Sequence, residues 1–403
     1  MADGLIPVAD ALARILAAAK PRGAETLPLH EAAFRTLASD VAATRTQPPF
    51  PASAMDGYAV RAADCVAGAR LKKIGEAAAG RAFHGRIGAN ETVRIFTGAP
   101  VPDGADAILI QENATTEGEM IIAREAVGAG RFVRPRGLDF AQGDVLLQAG
   151  SVLNARALAL AAAMGHPTLP VRQKPIVSVL ATGDELVRPG EMVGPDQIVA
   201  SNSFAVCAMA SAKGARAIDL GIARDTMADL DAALDRAVAE KTDVLVTLGG
   251  ASVGDHDLVQ KALTKRGMEL GFWKIAMRPG KPLIFGTLGE TIVLGLPGNP
   301  VSSIVCTKLF LEPLIAALLG QPGAGADPSE AAILAADMPE NDLRQDYVRA
   351  RLASDPSGLP CVTPFGKQDS SMLRLLTESD ALLIRAPFAP PAKAGETVRI
   401  IRL

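Results

Sequence analysis

The sequence predicts an α/β multidomain protein: a doubly wound parallel-sheet domain, with β-rich domains before it and a small C-terminal β-barrel after it. Three observations carry this prediction. Residues 173–322 alternate buried apolar runs with helix-length segments, the pattern of a parallel sheet with helices on both faces. Residues 45–144 break into short apolar runs between turns, the pattern of a small β domain. After the proline- and glycine-rich "GQPGAGADPSE" (320–330), short alternating runs resume, as in a linker followed by a small closed β domain.

With 403 residues the chain is too long for one compact core. The expected division is 1–44 with 145–172 as a helical linking domain, 45–144 as the β-rich domain, 173–322 as the α/β domain and 323–403 as the barrel.

Taken in order, "VADALARILAAA" (8–19) sets Val8, Leu12, Ile15 and Leu16 at helical spacing. "LPLHEAAFRTLASDVAA" (27–43) suggests a second helix. "TQPPFPASAMDGYAVRAAD" is biased toward extended backbone before each proline. "TVRIFTGA", "DAILIQEN", "MIIAREAV" and "DVLLQAG" read as short strands. "NARALALAAAMG" is a helix with Asn154 as N-cap and Gly165 as its stop. In the α/β region, "PIVSVLATG", "ARAIDLG", "DVLVTLGG", "LIFGTLG" and "TIVLGLPG" are strands. "NSFAVCAMASAKG", "MADLDAALDRAVAEK", "DLVQKALTKRG" and "PVSSIVCTKLFLEPLIAALLG" are helices, the last starting with Pro300 at its first position. "YVRARL", "PCVTPF", "ALLIRA" and "TVRIIRL" supply the barrel strands.

Composition narrows the function. Apolar residues make up 49% and charged residues 21%, as in a soluble globular protein. Aromatics are only 4% and the net charge is −3, which argues against stacking on single strands or general polyanion binding, so no nucleic acid partner is expected. Cys65, Cys207, Cys306 and Cys361 lie far apart with no CxxC, so neither a zinc knuckle nor a redox pair is signalled. Scattered thiols suit a cytoplasmic protein. Asp3 and Asp10 stand where a signal peptide needs basic and apolar residues. No apolar run is expected to approach membrane-spanning length.

Ligands of an open parallel sheet bind beyond the carboxyl ends of its strands. The segments at those ends here are "TGDEL" (182–186), "GIARDT" with Asp225, "GGASVGDHD" (249–257), "WKIAMRPGKP" with Lys274, Arg278 and Lys281, and "LPGNPVSS" (296–303). Gly249, Gly250 and Ser252 suit a phosphate cradle of backbone N–H groups beside a helix N-terminus. Carboxylates next to a phosphate make sense around a divalent cation such as Mg²⁺. Lysine and arginine supply charge for an oxyanion. Each feature also has a purely structural reading. The glycine pair can be a tight turn, Asp255 an N-cap, Asp257 a first-turn carboxylate opposing the dipole and His256 a solvated loop residue. Glu185 can be a surface carboxylate, "RPGKP" a turn with two solvated cations and "LPGNP" a rigid connector. Their shared position on one rim is the feature that points to a site.

"SAMDGYAVR", "RIFTGAPVPDGADAI", "ATGDEL", "TLGGASVGDHD", "RPGKP" and "GLPGNPVSS", in order from residue 53 to 303, resemble the molybdopterin molybdenumtransferase family (MoeA and the gephyrin E domain). The resemblance implies an elongated four-domain homodimer whose α/β domain is MoaB/MogA-like. It implies a reaction between adenylated molybdopterin and molybdate that releases AMP, with Mg²⁺ or another divalent cation required. The cleft would join the α/β domain of one subunit to N-terminal residues of the other.

By the same resemblance, Gly249, Gly250 and Ser252 meet the nucleotide or pyrophosphate, with Thr182, Gly183, Asp184, Pro297, Gly298 and Asn299 as further substrate-binding positions. Glu185, Asp225 and Asp257 serve metal binding and phosphoanhydride cleavage. Asp56, Thr97 and Asp139 face the partner's site. Lys274, Arg278 and Lys281 meet anionic groups, molybdate among them, and Ser370 or Ser371 comes from the last domain. Arg278 stands where bacterial relatives commonly have lysine, exchanging a point charge for a planar fork. A molybdopterin adenylyltransferase upstream and apo-molybdoenzymes downstream are the implied protein partners. Alternative readings are an adenylyltransferase or a non-catalytic scaffold on the same fold.

Overall fold

The computed structural model describes residues 5–250, 258–354 and 358–403. At its centre is a six-stranded sheet in the order Arg216–Ala223, Ile176–Thr182, Val244–Leu248, Thr291–Leu296, Pro282–Leu288, Glu269–Lys274. The first four strands are mutually parallel. Alternate side chains feed two cores, as the period of a strand requires. Val177, Val179, Val244 and Val246 pack with Val206 and Ala210 of helix Asn202–Ala212 and with Val301 and Val305. Leu180, Leu245 and Val293 pack on the other face with Leu230 and Ala233 of helix Met227–Ala239 and with Val259 and Ala262 of helix Leu258–Lys265.

The sheet departs from the expected all-parallel pattern at Pro282–Leu288, which runs antiparallel to both neighbours. Leu288 pairs with Thr291, so only Gly289 and Glu290 connect the strands. Two residues close a hairpin but are far too few for a parallel crossover. Gly289, at φ 59°, supplies the left-handed turn.

The last helix of this domain runs from Pro300 to Leu318. By length and composition it is apolar enough to cross a membrane, which corrects the expectation that no run approaches that length. Phe310, Leu311, Leu314 and Ile315 are fully buried in the domain core, so its apolarity serves packing. It widens to a π turn at Thr307–Leu311, just before Pro313. Proline has no N–H for the carbonyl four residues back, and the wider turn accommodates that loss.

Helix Val8–Ala17 forms as expected, and through Ala11 and Ile15 it joins the α/β core. The second helix expected at 27–43 does not form. Ala24–Pro28 is instead a strand paired with Thr168–Arg172, followed by a single 3₁₀ turn at Leu29–Glu31. Pro28 holds Leu27 extended. The next amides find distant partners, Phe34 donating to the Leu153 carbonyl at 2.9 Å and Leu37 to that of Ser151 at 2.9 Å. Ala32 and Leu37 lie in the core beneath helix Ala155–Ala163.

A second six-stranded sheet, ordered Ala107–Ile110, Gly57–Val60, Glu91–Ile95, Arg70–Ala77, Met120–Ala123, Ala114–Glu117, builds the β-rich domain. At the C-terminus, Gln345–Ser354, Pro360–Pro364, Glu330–Leu334, Thr397–Arg402 and Ala381–Arg385 close into a five-stranded barrel, because the last pairs back to the first. The short strand Met277–Arg278 pairs with Gln345 and Asp346 and fastens this barrel to the α/β domain. Tyr347, Leu382 and Ile401 of the barrel share that domain's core.

Candidate active site

The strand order reverses between Ile176–Thr182 and Val244–Leu248, and a ligand crevice is expected at the carboxyl ends of such a pair. A groove of about 560 Å³ opens there. Thr182, Glu185, Gly249, Gly250, Pro297, Gly298 and Asn299 line it, joined by Ser371 from the barrel. Gly183 and Asp184 belong to the same turn. Ser252 and Asp257, like Asp255 and His256, lie outside the described residues.

Gly249 has φ 93°, and a Cβ there would sit 2.8 Å from the Thr182 carbonyl and 3.1 Å from its hydroxyl. Only glycine fits, and the groove floor is therefore bare backbone. Across the floor, a Cβ on Gly298 would meet only the Gly249 Cα, at 3.7 Å. The 297–299 turn is held from behind. Asn202 Nδ2 donates to the Gly298 carbonyl at 2.6 Å, and Ser303 Oγ donates to the carbonyls of Pro297 and of Asn299, the latter at 3.1 Å.

The acidic residues crowd one end. The Asp225 amide donates to Asp184 Oδ1 at 3.1 Å. Burial, then the charges of Asp184 and Glu185, push the Asp225 carboxyl above its ordinary value. Among the described residues no three carboxylate, histidine or cysteine side chains form a finished metal cage. The donor set suits Mg²⁺, which takes one or two carboxylates and completes its shell with phosphate and water.

The cations are not all beside the groove. Arg278 forms ion pairs with two barrel carboxylates, Asp346 and, at 3.3 Å, Asp342. Pairing of Met277–Arg278 with Gln345–Asp346 brings the guanidinium to that position. The resemblance implies a place for Arg278 beside an oxyanion; in the structure its guanidinium pairs with carboxylates of the last domain and ties two domains together. Lys274 lies over the Trp273 ring, 3.9 Å from its centroid. Lys281 directly precedes Pro282, which lines the groove.

Asp56 and Thr97 meet in the β-rich domain. The carboxylate accepts the Thr97 amide and hydroxyl, each at 2.7 Å, and these bonds hold its carboxyl below the usual value. Arg94 lies beside them, stacked on Tyr58 and Phe96 with centroid distances of 5.1 and 4.8 Å. Asp139 is in a neighbouring loop, its amide donating to the Gln47 carbonyl at 3.0 Å. None of Asp56, Thr97 and Asp139 lines this groove.

Family sequence models match residues 6–165 to the MoeA N-terminal region (domain I and II), 178–317 to a "probable molybdopterin binding domain" and 331–403 to the MoeA C-terminal region (domain IV). The chain is 36% identical over 381 residues to the molybdopterin molybdenumtransferase of Haemophilus influenzae, covering 94% of each. The chain belongs to the molybdopterin molybdenumtransferase family. It is therefore a transferase. The Bacillus subtilis molybdopterin molybdenumtransferase is 32% identical over 405 residues, covering 98% of this chain and 94% of its own. A crystal structure of the molybdopterin biosynthesis MoeA protein of Pyrococcus horikoshii superposes with a TM-score of 0.85 at 30% identity over 99% of both chains.

In this member of the family the turns lining the groove are held by residues beyond the sequence-predicted site residues. Asn202 and Ser303 hold the 297–299 turn, and Arg349 and Gln368 hold the loop carrying Ser370 and Ser371. "SNS" at 201–203 follows the short strand Ile198–Val199, outside the central sheet, so it does not succeed a central strand. A buried arginine in a barrel strand had no local signal at all.

Proposed function

We propose that this chain inserts molybdate into adenylated molybdopterin with release of AMP, and that the groove at the strand ends holds the adenylate. The observation that carries the reading is the bare Gly249–Gly250 floor against Thr182, with Asp184, Glu185 and Asp225 at its edge. Backbone there can approach a pyrophosphate closely, and N–H groups can bind its oxygens. A bound Mg²⁺ would supply Lewis acidity at a phosphoryl oxygen. Glu185 and Asp225, with Asp257, are the residues proposed to hold it. Asp225, at the groove edge beside Asp184, is suited by its position to orient water and take its proton as the oxygen attacks phosphorus. The new P–O bond forms as the phosphoanhydride bond to AMP breaks. Lys274 and Lys281 are proposed to meet the molybdate oxyanion, with Arg278 acting through the domain junction.

The working unit is proposed to be a cytoplasmic homodimer. Asp56, Thr97 and Asp139 lie in a domain that contributes nothing to its own groove, which favours their completing the groove of a second copy. The adenylyltransferase and the apo-molybdoenzymes are the proposed partners before and after this step. The test is AMP release from adenylated molybdopterin with Mg²⁺, with and without molybdate. The reading expects release that depends on molybdate and yields cofactor able to activate an apo-molybdoenzyme. A folded dimer that releases no AMP would overturn it.

A further inference from the structure

Arg349 is the largest fully buried side chain among the described residues, 1% exposed. A buried guanidinium is costly unless an anion or a full set of hydrogen bonds meets it. No ion pair is formed by Arg349 among the described residues; its partners are neutral groups. Nη1 donates to the Met372 carbonyl at 3.0 Å, and Nη2 to that of Asp369 at 2.8 Å. Its backbone amide donates to Gln368 Oε1 at 3.0 Å. Gln368 Nε2 returns two bonds, to the carbonyls of Arg349 at 3.1 Å and Phe365 at 2.8 Å.

All these partners, apart from Arg349's own carbonyl, lie in the 365–372 loop. The far side of that loop meets the α/β domain where the groove opens. The Ser370 carbonyl accepts the Val301 amide at 3.1 Å, and its hydroxyl accepts Asn299 Nδ2 at 2.9 Å. Ser371 lines the groove beside Asn299 and Pro300. The loop therefore has one anchor in the barrel and one at the N-terminus of the helix starting at Pro300.

We propose that Arg349 and Gln368 are positioning residues for the transfer reaction: their clasp fixes the 365–372 loop so that Ser370 and Ser371 complete the wall of the groove. The inference rests on reading this groove as the adenylate site. A planar guanidinium holds two carbonyls at fixed directions, which an ammonium on a flexible stem does not. A clasp away from the reacting atoms should act on binding, so its loss raises KM more than it lowers kcat.

The test uses the full-length protein with Gln368→Ala, Arg349→Lys and Arg349→Met, and Gly249→Ala as a groove control. AMP release and amide hydrogen exchange are measured on each. Gln368→Ala and Arg349→Lys should raise KM for adenylated molybdopterin about tenfold with kcat within about threefold, since each removes part of the loop's hydrogen bonding to the barrel. The Val301 amide should exchange about tenfold faster, while Val348 in the barrel strand stays protected. Wild-type KM and Val301 exchange in both variants would overturn the clasp. Loss of Val348 protection in both would also overturn it, as general barrel unfolding. If Arg349→Met fails to fold, Arg349→Lys and Gln368→Ala, whose side chain is exposed, carry the test. A raised KM in Gly249→Ala with wild-type KM in the clasp variants sinks the clasp and leaves the groove reading standing. A wild-type KM in Gly249→Ala sinks the groove reading itself.

Discussion

Asp56 accepts two hydrogen bonds from Thr97, one from the amide and one from the hydroxyl, although 41 positions separate them. Two residues singled out in separate motifs thus form one unit. The bonds keep Asp56 ionised, and their stabilising effect is present above the ordinary carboxylate pKa of 3.8 and lost as pH falls through the lowered folded value.

If that unit serves the groove of a second subunit, two inactive variants should rescue each other. Asp56→Asn and Asp225→Asn homodimers should each lose AMP release. Random reassembly makes half the dimers mixed, each with one of its two sites intact, so about a quarter of wild-type activity should return. Recovery is measured after subunit exchange is verified by mass. No recovery would mean that Asp56 does not act across the dimer.

The Asp225 carboxyl gives a pH prediction with a definite sign. Its folded pKa is raised above 3.8 by burial, by Asp184 and by Glu185. The folded state therefore binds the proton more tightly than the unfolded chain does. Its relative stability is full below 3.8 and falls as pH rises through the raised value. Without metal at neutral pH, Asp225→Asn should melt higher than wild type, and the gap should shrink as pH is lowered. Added Mg²⁺ should raise the wild-type melting temperature more than the variant's, since binding to the folded state alone stabilises it. Equal Mg²⁺ responses would remove Asp225 from the metal site.

The rim of the groove was legible in the sequence because its parts directly succeed strands. "TGDEL", the glycine pair and "LPGNP" each sit where a buried apolar run ends, and parallel packing puts those ends together. The supports of the rim were not legible. Asn202 reaches Gly298 across 96 positions, and Arg349 meets Gln368 across 19, in the loop beyond the neighbouring strand. The 27–43 segment misled for a related reason. Ala32 and Leu37, five positions apart and so about 140° apart on a helix, are both buried because distant strands and carbonyls hold their backbone. A local segment carries no record of such distant hydrogen-bond partners.

Arg278 separates charge from place. The resemblance assigned it to an oxyanion, while in the structure two barrel carboxylates already surround it. Asp346 is the critical partner: its side chain is only 10% exposed, and its Oδ1 atom is buried without a hydrogen bond. Arg278→Gln would leave that carboxylate buried and without its counter-ion. Breaking a fully buried pair costs about 3–5 kcal/mol. Arg278 itself is 48% exposed, so solvent screening lowers the expected cost to about 1–3 kcal/mol. Urea unfolding followed by fluorescence of Trp273, the single tryptophan, measures this loss in the domain that carries Arg278. The KM for molybdate should stay within about threefold of wild type, because a tie between domains contributes no ligand to the anion. A tenfold rise in that KM at unchanged stability would return Arg278 to the anion site. A matching loss of stability in Asp346→Asn, with no further loss in the double variant, would assign the effect to this pair.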